Sequence, residues 1–398
     1  MDLRESDGVR DETETVLRAW HAYELGRGGS PVIDFDCSPQ RAEPVPAGGR
    51  LEVYRRLAAL RRRAGGPVAE RLDADLAYLA ALLGERPPLA EYVRRTQGCG
   101  TAGWPPDYVR ARGDQARELL TGMGIAWGAG TATALNEAEG RLAVEDAPDA
   151  IRKAGDDLEH AVREATGSTA PFELEIETTR VDAYWSYWLD GAGNRVRLRL
   201  NLRNAVLTET GARRFALHEI LGHGLQSSSW TETAKGGVPW VRLMSVHALY
   251  QVLLEGLAQA LPLFVTPDDQ ALVARVRLDH YVQLVRADLH VGLHRGEPIL
   301  DLADRARRDV PWLDDAAIAD LLGDRRDPQL SSYLWSYPAG IDWFVHLAEA
   351  DPALGRTVLR AAYTAPLTPS DLASLWPEGP QIGGPGLALG AAASQVRP

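Results

Sequence analysis

His218, Glu219 and His223 stand in one short segment, His218-Glu219-Ile220-Leu221-Gly222-His223, an HExxxH motif. Two imidazoles and a carboxylate so close together are the residue types that hold a catalytic metal and move a proton beside it. In the shorter HExxH motif the histidines are i and i+4, about 40° apart around an α-helix, so both reach one ion. At i and i+5 the offset is about 140°, and both reach one ion only where the helix widens locally, as in a π-bulge. Gly222 lies where that distortion costs least. A further carboxylate, Glu255, follows in the segment Leu254-Glu255-Gly256-Leu257-Ala258. Two His, one Glu and an open position make a catalytic zinc site. The expected set is His218, His223 and Glu255 as ligands of one Zn2+ per chain, with Glu219 as general base toward a water molecule.

Two later segments carry further candidates. Arg286-Ala287-Asp288-Leu289-His290-Val291-Gly292-Leu293-His294 places His290 and His294 at i, i+4 on one helical face, where substrate contact is expected of Arg286 and His294. Ser336-Tyr337-Pro338-Ala339-Gly340 offers Tyr337, whose hydroxyl near a metal would stabilise an oxyanion.

These pieces together resemble a widespread bacterial zincin-like family of unknown function, whose members carry HExxPGHHLQ, then EGWA, then Arg before a T-G-L-H segment, then S-Y-x-x-G. Here the first segment is one residue shorter and lacks the Pro, EGWA reads Glu255-Gly256-Leu257-Ala258, and His290 stands where the family has Asp. The aromatic hairpin ending in Asn201 is similar to the strand preceding that family's HE segment. The HExxxH spacing also resembles dipeptidyl peptidase III and the tubulin tyrosine carboxypeptidases. The resemblance, covering residues 180 to 350, implies zinc and hydrolysis of peptide-like bonds. It implies His218, His223 and Glu255 as ligands, Glu219 as base, Tyr337 as oxyanion stabiliser, and Arg286, His290, His294 and Asn201 beside the substrate.

The elements that must position these residues read as mainly helical. Helices are expected at 12–23, 51–63, 68–83, 108–120 and 132–162, the last broken near Asp146–Asp149. A strand is expected at 172–176. The aromatic run Tyr184, Trp185, Tyr187 and Trp188 and the run Val196–Leu202 flank an Asp190-Gly191 turn signal, which reads as an antiparallel hairpin. Further helices are expected at 212–226, 244–264, 268–294 and 333–349, and the Ser- and Gly-containing stretch 227–239 reads as a loop or mobile lid. The fold class is therefore a mainly α, zincin-like (Glu-type) metallohydrolase with a small antiparallel sheet beside the active-site helix. A helical lobe at 1–170, a catalytic lobe at 171–376 and a disordered tail at 377–398 are expected.

Composition bounds the rest. The chain has 398 residues, a net charge of -12, nine His and two Cys. Acidity disfavours nucleic acid, two separated Cys exclude a cysteine-built zinc site, and no 18-residue apolar run suggests a membrane span. The start lacks an apolar signal core, so a cytoplasmic setting is expected. The leading expectation is a zinc metallopeptidase acting on a short peptide or peptide-like molecule. A zincin-derived tailoring enzyme of a bacterial secondary-metabolite pathway, a non-heme iron enzyme and a non-catalytic binding protein stay open. The sequence assigns no role to His247 and His280 and no oligomeric state.

Overall fold

A computed structural model of the chain describes residues 3–182, 187–203, 207–323 and 330–384. Tyr184 and Trp185 of the aromatic run, and residues 385–398 of the expected tail, lie outside them.

The described chain is mainly helical around one small sheet. The strands are β1 (Phe35–Asp36), β2 (Glu173–Thr179), β3 (Tyr187–Ala192), β4 (Arg195–Asn201) and β5 (Leu243–Met244). Their order is β2-β4-β3-β1-β5. The expected antiparallel sheet is thus corrected to a mixed one: β3 and β4 form the antiparallel hairpin, but β2 runs parallel to β4 and β1 parallel to β3. The alternation of β4 explains its faces. Val196, Leu198 and Leu200 are buried against the helices, while Arg197 and Arg199 reach Asp190 at 2.9 and 2.6 Å on the wetter face.

The hairpin turn falls at Gly193-Asn194, not at Asp190-Gly191. Gly193 adopts φ 66°, the left-handed region open to glycine. Gly191 lies inside β3, paired with Val196, and the position requires glycine because a Cβ there would meet the Arg195 carbonyl oxygen at 2.3 Å and the Phe35 ring at 2.5 Å. The crowding arises because β1 pairs along that very stretch.

The two expected lobes share their interior. Ile151, Ala154, Leu158 and Val162, from the helix Ala147–Thr166, pack in one core with Val196, Leu198, Leu217 and Ile220. The helices Leu3–Gly26, Arg50–Arg61 and Gly66–Leu82 form a second core that includes Val241 and Leu243. Residues 377–384 are packed too: Gly100 N–H donates to the Ile382 carbonyl at 3.1 Å, and Ile382 lies against two of the cores.

One continuous helical run carries the HExxxH segment. It begins at Glu209, where the Thr208 hydroxyl accepts from Gly211 N–H at 2.8 Å as an N-cap, and ends at Ala234. Between the α-helical stretches Glu209–Phe215 and Leu225–Ala234 lies a π-helix, Ala216–Gly224. The loop or lid expected at 227–239 is therefore helical through Ala234. The hydroxyls of Ser229, Thr231 and Thr233 bond back to the carbonyls four residues earlier, which lets polar side chains lie in a buried helix.

Candidate metal centre

The π-helix converts an i, i+5 pair into neighbours. Its i→i+5 bonds, such as Leu225 N–H to Ile220 O, return each sixth residue to nearly the same face. His218 and His223 consequently bring their Nε2 atoms to 3.2 Å, with the rings edge to face. Three features hold the widened turn. Gly222 lets the neighbouring helix Gln251–Ala260 approach, since a Cβ there would lie 2.9 Å from Ala258 Cβ. Gly224 opens space for Val196 of β4 in the same way, at 3.0 Å. The Tyr363 hydroxyl donates to the Leu221 carbonyl at 2.6 Å.

The helix Gln251–Ala260 supplies Glu255. Its Oε2 lies 3.4 Å from His218 Nε2 and its Oε1 3.7 Å from His223 Nε2. A tetrahedral ion with bonds of about 2.1 Å has ligand–ligand edges of about 3.4 Å. The histidine pair, at 3.2 Å, is close to that edge, and the two Glu255 oxygens face one imidazole each at 3.4 and 3.7 Å, as the two oxygens of a chelating carboxylate would. Glu255 Oε2 is also buried without a hydrogen-bond donor, which an ion in this position would satisfy. The donor set fits a divalent metal.

Glu219 is the alternative third ligand, because a donor atom of each of His218, Glu219 and His223 falls within 4.8 Å of the others. Its Oε1 is 3.6 Å from His218 Nε2, yet of the two imidazoles it comes within 4.0 Å of His218 alone. Glu255 spans both. Both carboxylates therefore stand beside the histidine pair, Glu255 facing both imidazoles and Glu219 facing His218.

The electrostatics separate the two carboxylates. Burial, reinforced by the nearby Glu255 charge, pushes Glu219 up to about 7. Burial also works on Glu255, but the adjacent His218, the charge of His223 and the Tyr333 hydroxyl outweigh it and hold Glu255 below its ordinary value. Burial, with the charge of His218, lowers His223 to about 4. Burial lowers His218 as well, but Glu219 and Glu255 hold it above the usual imidazole value.

Two tyrosines complete the cluster. The Tyr333 hydroxyl donates to Glu255 Oε1 and lies 3.0 Å from the Tyr337 hydroxyl. Burial and then the Glu255 charge raise both phenols well above their ordinary value, so both stay protonated donors. Tyr333 has no motif of its own in the sequence. Its only signal is its position four residues before Tyr337, one helical turn away.

All of these residues line one cavity of about 400 Å³, together with Asp34, Phe35, Tyr187, Trp188 and Gln251. The cavity brings together His218, Glu219, His223, Glu255 and Tyr337, and does not bring in Asn201, Arg286, His290 or His294. Asn201 is buried at the end of β4, where Nδ2 donates to Val181 O at 3.0 Å and Oδ1 accepts from Val181 N–H at 3.3 Å. Arg286, His290 and His294 lie on the long helix Gln270–His294, and His290 Nδ1 accepts from Trp335 Nε1 at 2.9 Å. Among the described residues, the group of three or more potential ligands is that of the π-helix.

The two histidines without a sequence role belong to the scaffold. His247 Nε2 pairs with Asp75 Oδ1 at 2.9 Å and stacks on Tyr78. His280 Nε2 pairs with Asp342 Oδ1 at 2.8 Å, and Trp104 Nε1 donates to the same carboxylate at 2.8 Å.

No protein-family model matches the sequence, and no curated protein matches it. Among solved structures, a Colwellia psychrerythraea protein described as a lipoprotein is similar, with a TM-score of 0.53 and 16% identity, over 81% of this chain. This chain spans 59% of that protein's length, and the likeness concerns the fold alone. Metallocarboxypeptidase 1 of Trypanosoma cruzi aligns over 96% of this chain and 97% of its own, at 10% identity and a TM-score of 0.38. So low a score carries no argument about the chemistry. No helix among the described residues is long and apolar enough to cross a membrane.

Proposed function

We propose that the protein is a metal-dependent hydrolase, with zinc as the metal, cleaving an amide bond in a short peptide or peptide-like molecule. One observation carries the proposal: the π-helix brings the Nε2 atoms of His218 and His223 to 3.2 Å, with one Glu255 oxygen within 3.7 Å of each and Glu219 beside His218. When bound, the metal would polarise a carbonyl and acidify water. The remaining work falls to side chains of this chain. Glu219, poised near neutrality, accepts a proton from the attacking water and passes it to the leaving amine. The Tyr337 hydroxyl donates to the oxygen on which negative charge develops. Tyr333 fixes the Glu255 carboxylate by donating to one of its oxygens, so the ligand keeps its orientation. Tyr187 and Trp188 form an aromatic wall of the cavity.

A cavity of about 400 Å³ is at the small end of ligand sites and suits a short substrate. Cys37 and Cys99 are free and buried, which suits a reducing compartment, and the cytoplasm is the proposed setting. The test is Glu219→Gln. The variant is expected to retain one zinc per chain and to lose peptide hydrolysis by at least about a hundredfold. Full activity with metal retained would remove Glu219 from the mechanism. Iron instead of zinc after anaerobic purification would turn the same two-His, one-carboxylate set toward oxygen chemistry.

A further inference from the structure

We infer that the substrate presents a protonated amine to Asp34, so that Asp34 selects cationic substrates for this cavity. The inference rests on the hydrolase reading above and specifies its substrate class. Asp34 precedes β1 and is fixed by its backbone: its N–H donates to Met244 O at 2.9 Å, and its carbonyl accepts from Gly191 N–H at 3.3 Å. Asp34 lines the same cavity as the His218–His223–Glu255 cluster.

Three observations point to a cationic ligand. First, Asp34 Oδ2 is buried and accepts no hydrogen bond, a costly state for a carboxylate in the resting protein. Second, the charged groups nearest in effect are committed elsewhere. Arg71 is bound to Asp75 at 3.0 Å and to Ser245 Oγ at 2.7 Å, and Asp190 is bound to Arg197 and Arg199. No Arg, Lys or His among the described residues forms an ion pair with Asp34, whose backbone partner is Val246. Third, the described lining of the cavity holds three acidic residues, two histidines and no Arg or Lys. Glu255 faces the histidine pair and Glu219 has His218 beside it at 3.6 Å, whereas no Arg, Lys or His among the described residues pairs with Asp34. Burial, with the Asp190 charge, pushes the Asp34 carboxyl up to about 7, and an incoming ammonium would reverse that.

The neighbours of Asp34 suit an amine as well. Phe35, Tyr187 and Trp188 line the same cavity, and aromatic rings are compatible neighbours for a cation. A substrate carboxylate, by contrast, would find no Arg or Lys in the described lining. The geometry thus points to cleavage at the amino end of a peptide, or beside another amine.

The experiment is titration calorimetry on the zinc-loaded protein at neutral pH. Four probes are used: L-leucine hydroxamate, 6-aminohexanoic acid hydroxamate and the N-acetyl derivative of each. The hydroxamate seats on the metal, and the two amines stand near to it or far from it. The expected result is that one free amine binds about tenfold or more tighter than its acetylated partner. Asp34→Asn should abolish that gap while leaving the acetylated probe's affinity unchanged, which also shows that the variant is folded and metal-loaded. The pair showing the gap tells an α-amine from a distal one. Equal binding of each pair to the unsubstituted protein, or a gap that survives Asp34→Asn, overturns the inference. If no hydroxamate binds the zinc-loaded protein, the metal-centre reading fails, and the inference falls with it.

Discussion

Gly256 and Gly340 face each other at a helix crossing so tight that a Cβ built on Gly340 would lie 2.6 Å from the Gly256 Cα. The same Cβ would lie 2.3 Å from the Val252 carbonyl oxygen. The crossing joins the helix Gln251–Ala260 to the helix Ser336–Glu349, and with them Glu255 to Tyr337 and the preceding Tyr333. Two segments that look unrelated in the sequence, EGLA and SYPAG, therefore share a physical reason for their glycines.

Gly340→Ala should force the two helices apart, because backbone rather than a flexible side-chain tip stands in the way. Overpacking of this kind costs about 1–3 kcal/mol, read from urea denaturation. Displacement of Glu255 from the histidine pair should also weaken zinc retention against a chelator. Unchanged stability and unchanged retention would show that the crossing does not set the position of Glu255.

The two tyrosines should separate in their effects. Tyr333→Phe removes the donor that orients Glu255, and zinc affinity should fall about 10- to 100-fold. Tyr337→Phe should leave zinc affinity near that of the parent and lower kcat by about 10²–10³. Metal titration and steady-state kinetics on both variants distinguish the roles.

Asp34 carries a stability cost that depends on pH. Its carboxyl is raised to about 7 by burial, against an unfolded value near 3.9. Between these values the folded chain holds a proton that the unfolded chain has released, so stability falls as pH rises from about 4 to about 7. Asp34→Asn removes this loss. Its melting temperature should exceed that of the parent at pH values above about 7 and match it near pH 4. A uniform offset at all pH values would assign the effect to packing instead.

Asp75 is fully buried between Arg71 at 3.0 Å and His247 at 2.9 Å. Replacing it by Asn strands the Arg71 guanidinium without its counter-ion, and the expected loss is about 3–5 kcal/mol in denaturant unfolding. A loss under about 1 kcal/mol would show that the Leu243 carbonyl and Ser245, which Arg71 also contacts, suffice to hold the charge.

The centre of the site was legible because its information is local. His218, Glu219 and His223 lie within six residues, and the i, i+5 spacing of the histidines needs a widened helix near Gly222, which is where the π-helix runs. Asp34 was not legible, since it reaches the cavity through a two-residue strand whose pairing with β3 and β5 no local pattern announces. The parallel pairing of β2 with β4 is likewise a long-range choice. The turn at Asp190-Gly191 was misplaced because Gly191 answers to the Phe35 ring, a neighbour remote in sequence. Arg286, His290 and His294 form a second, weaker sequence pattern, and His290 turns to Trp335 while none of the three is in the cavity's described lining. Chemistry-bearing residue types share a face by periodicity, but only tertiary packing decides what that face meets.

The most direct measurement is a crystal structure of the zinc-loaded protein with anomalous data collected on both sides of the zinc edge. One anomalous peak is expected, bonded to His218 Nε2, His223 Nε2 and Glu255, with Glu219 outside bonding distance. A peak bonded to Glu219 but not to Glu255, a peak at His290 and His294, or no peak in this cavity would contradict it.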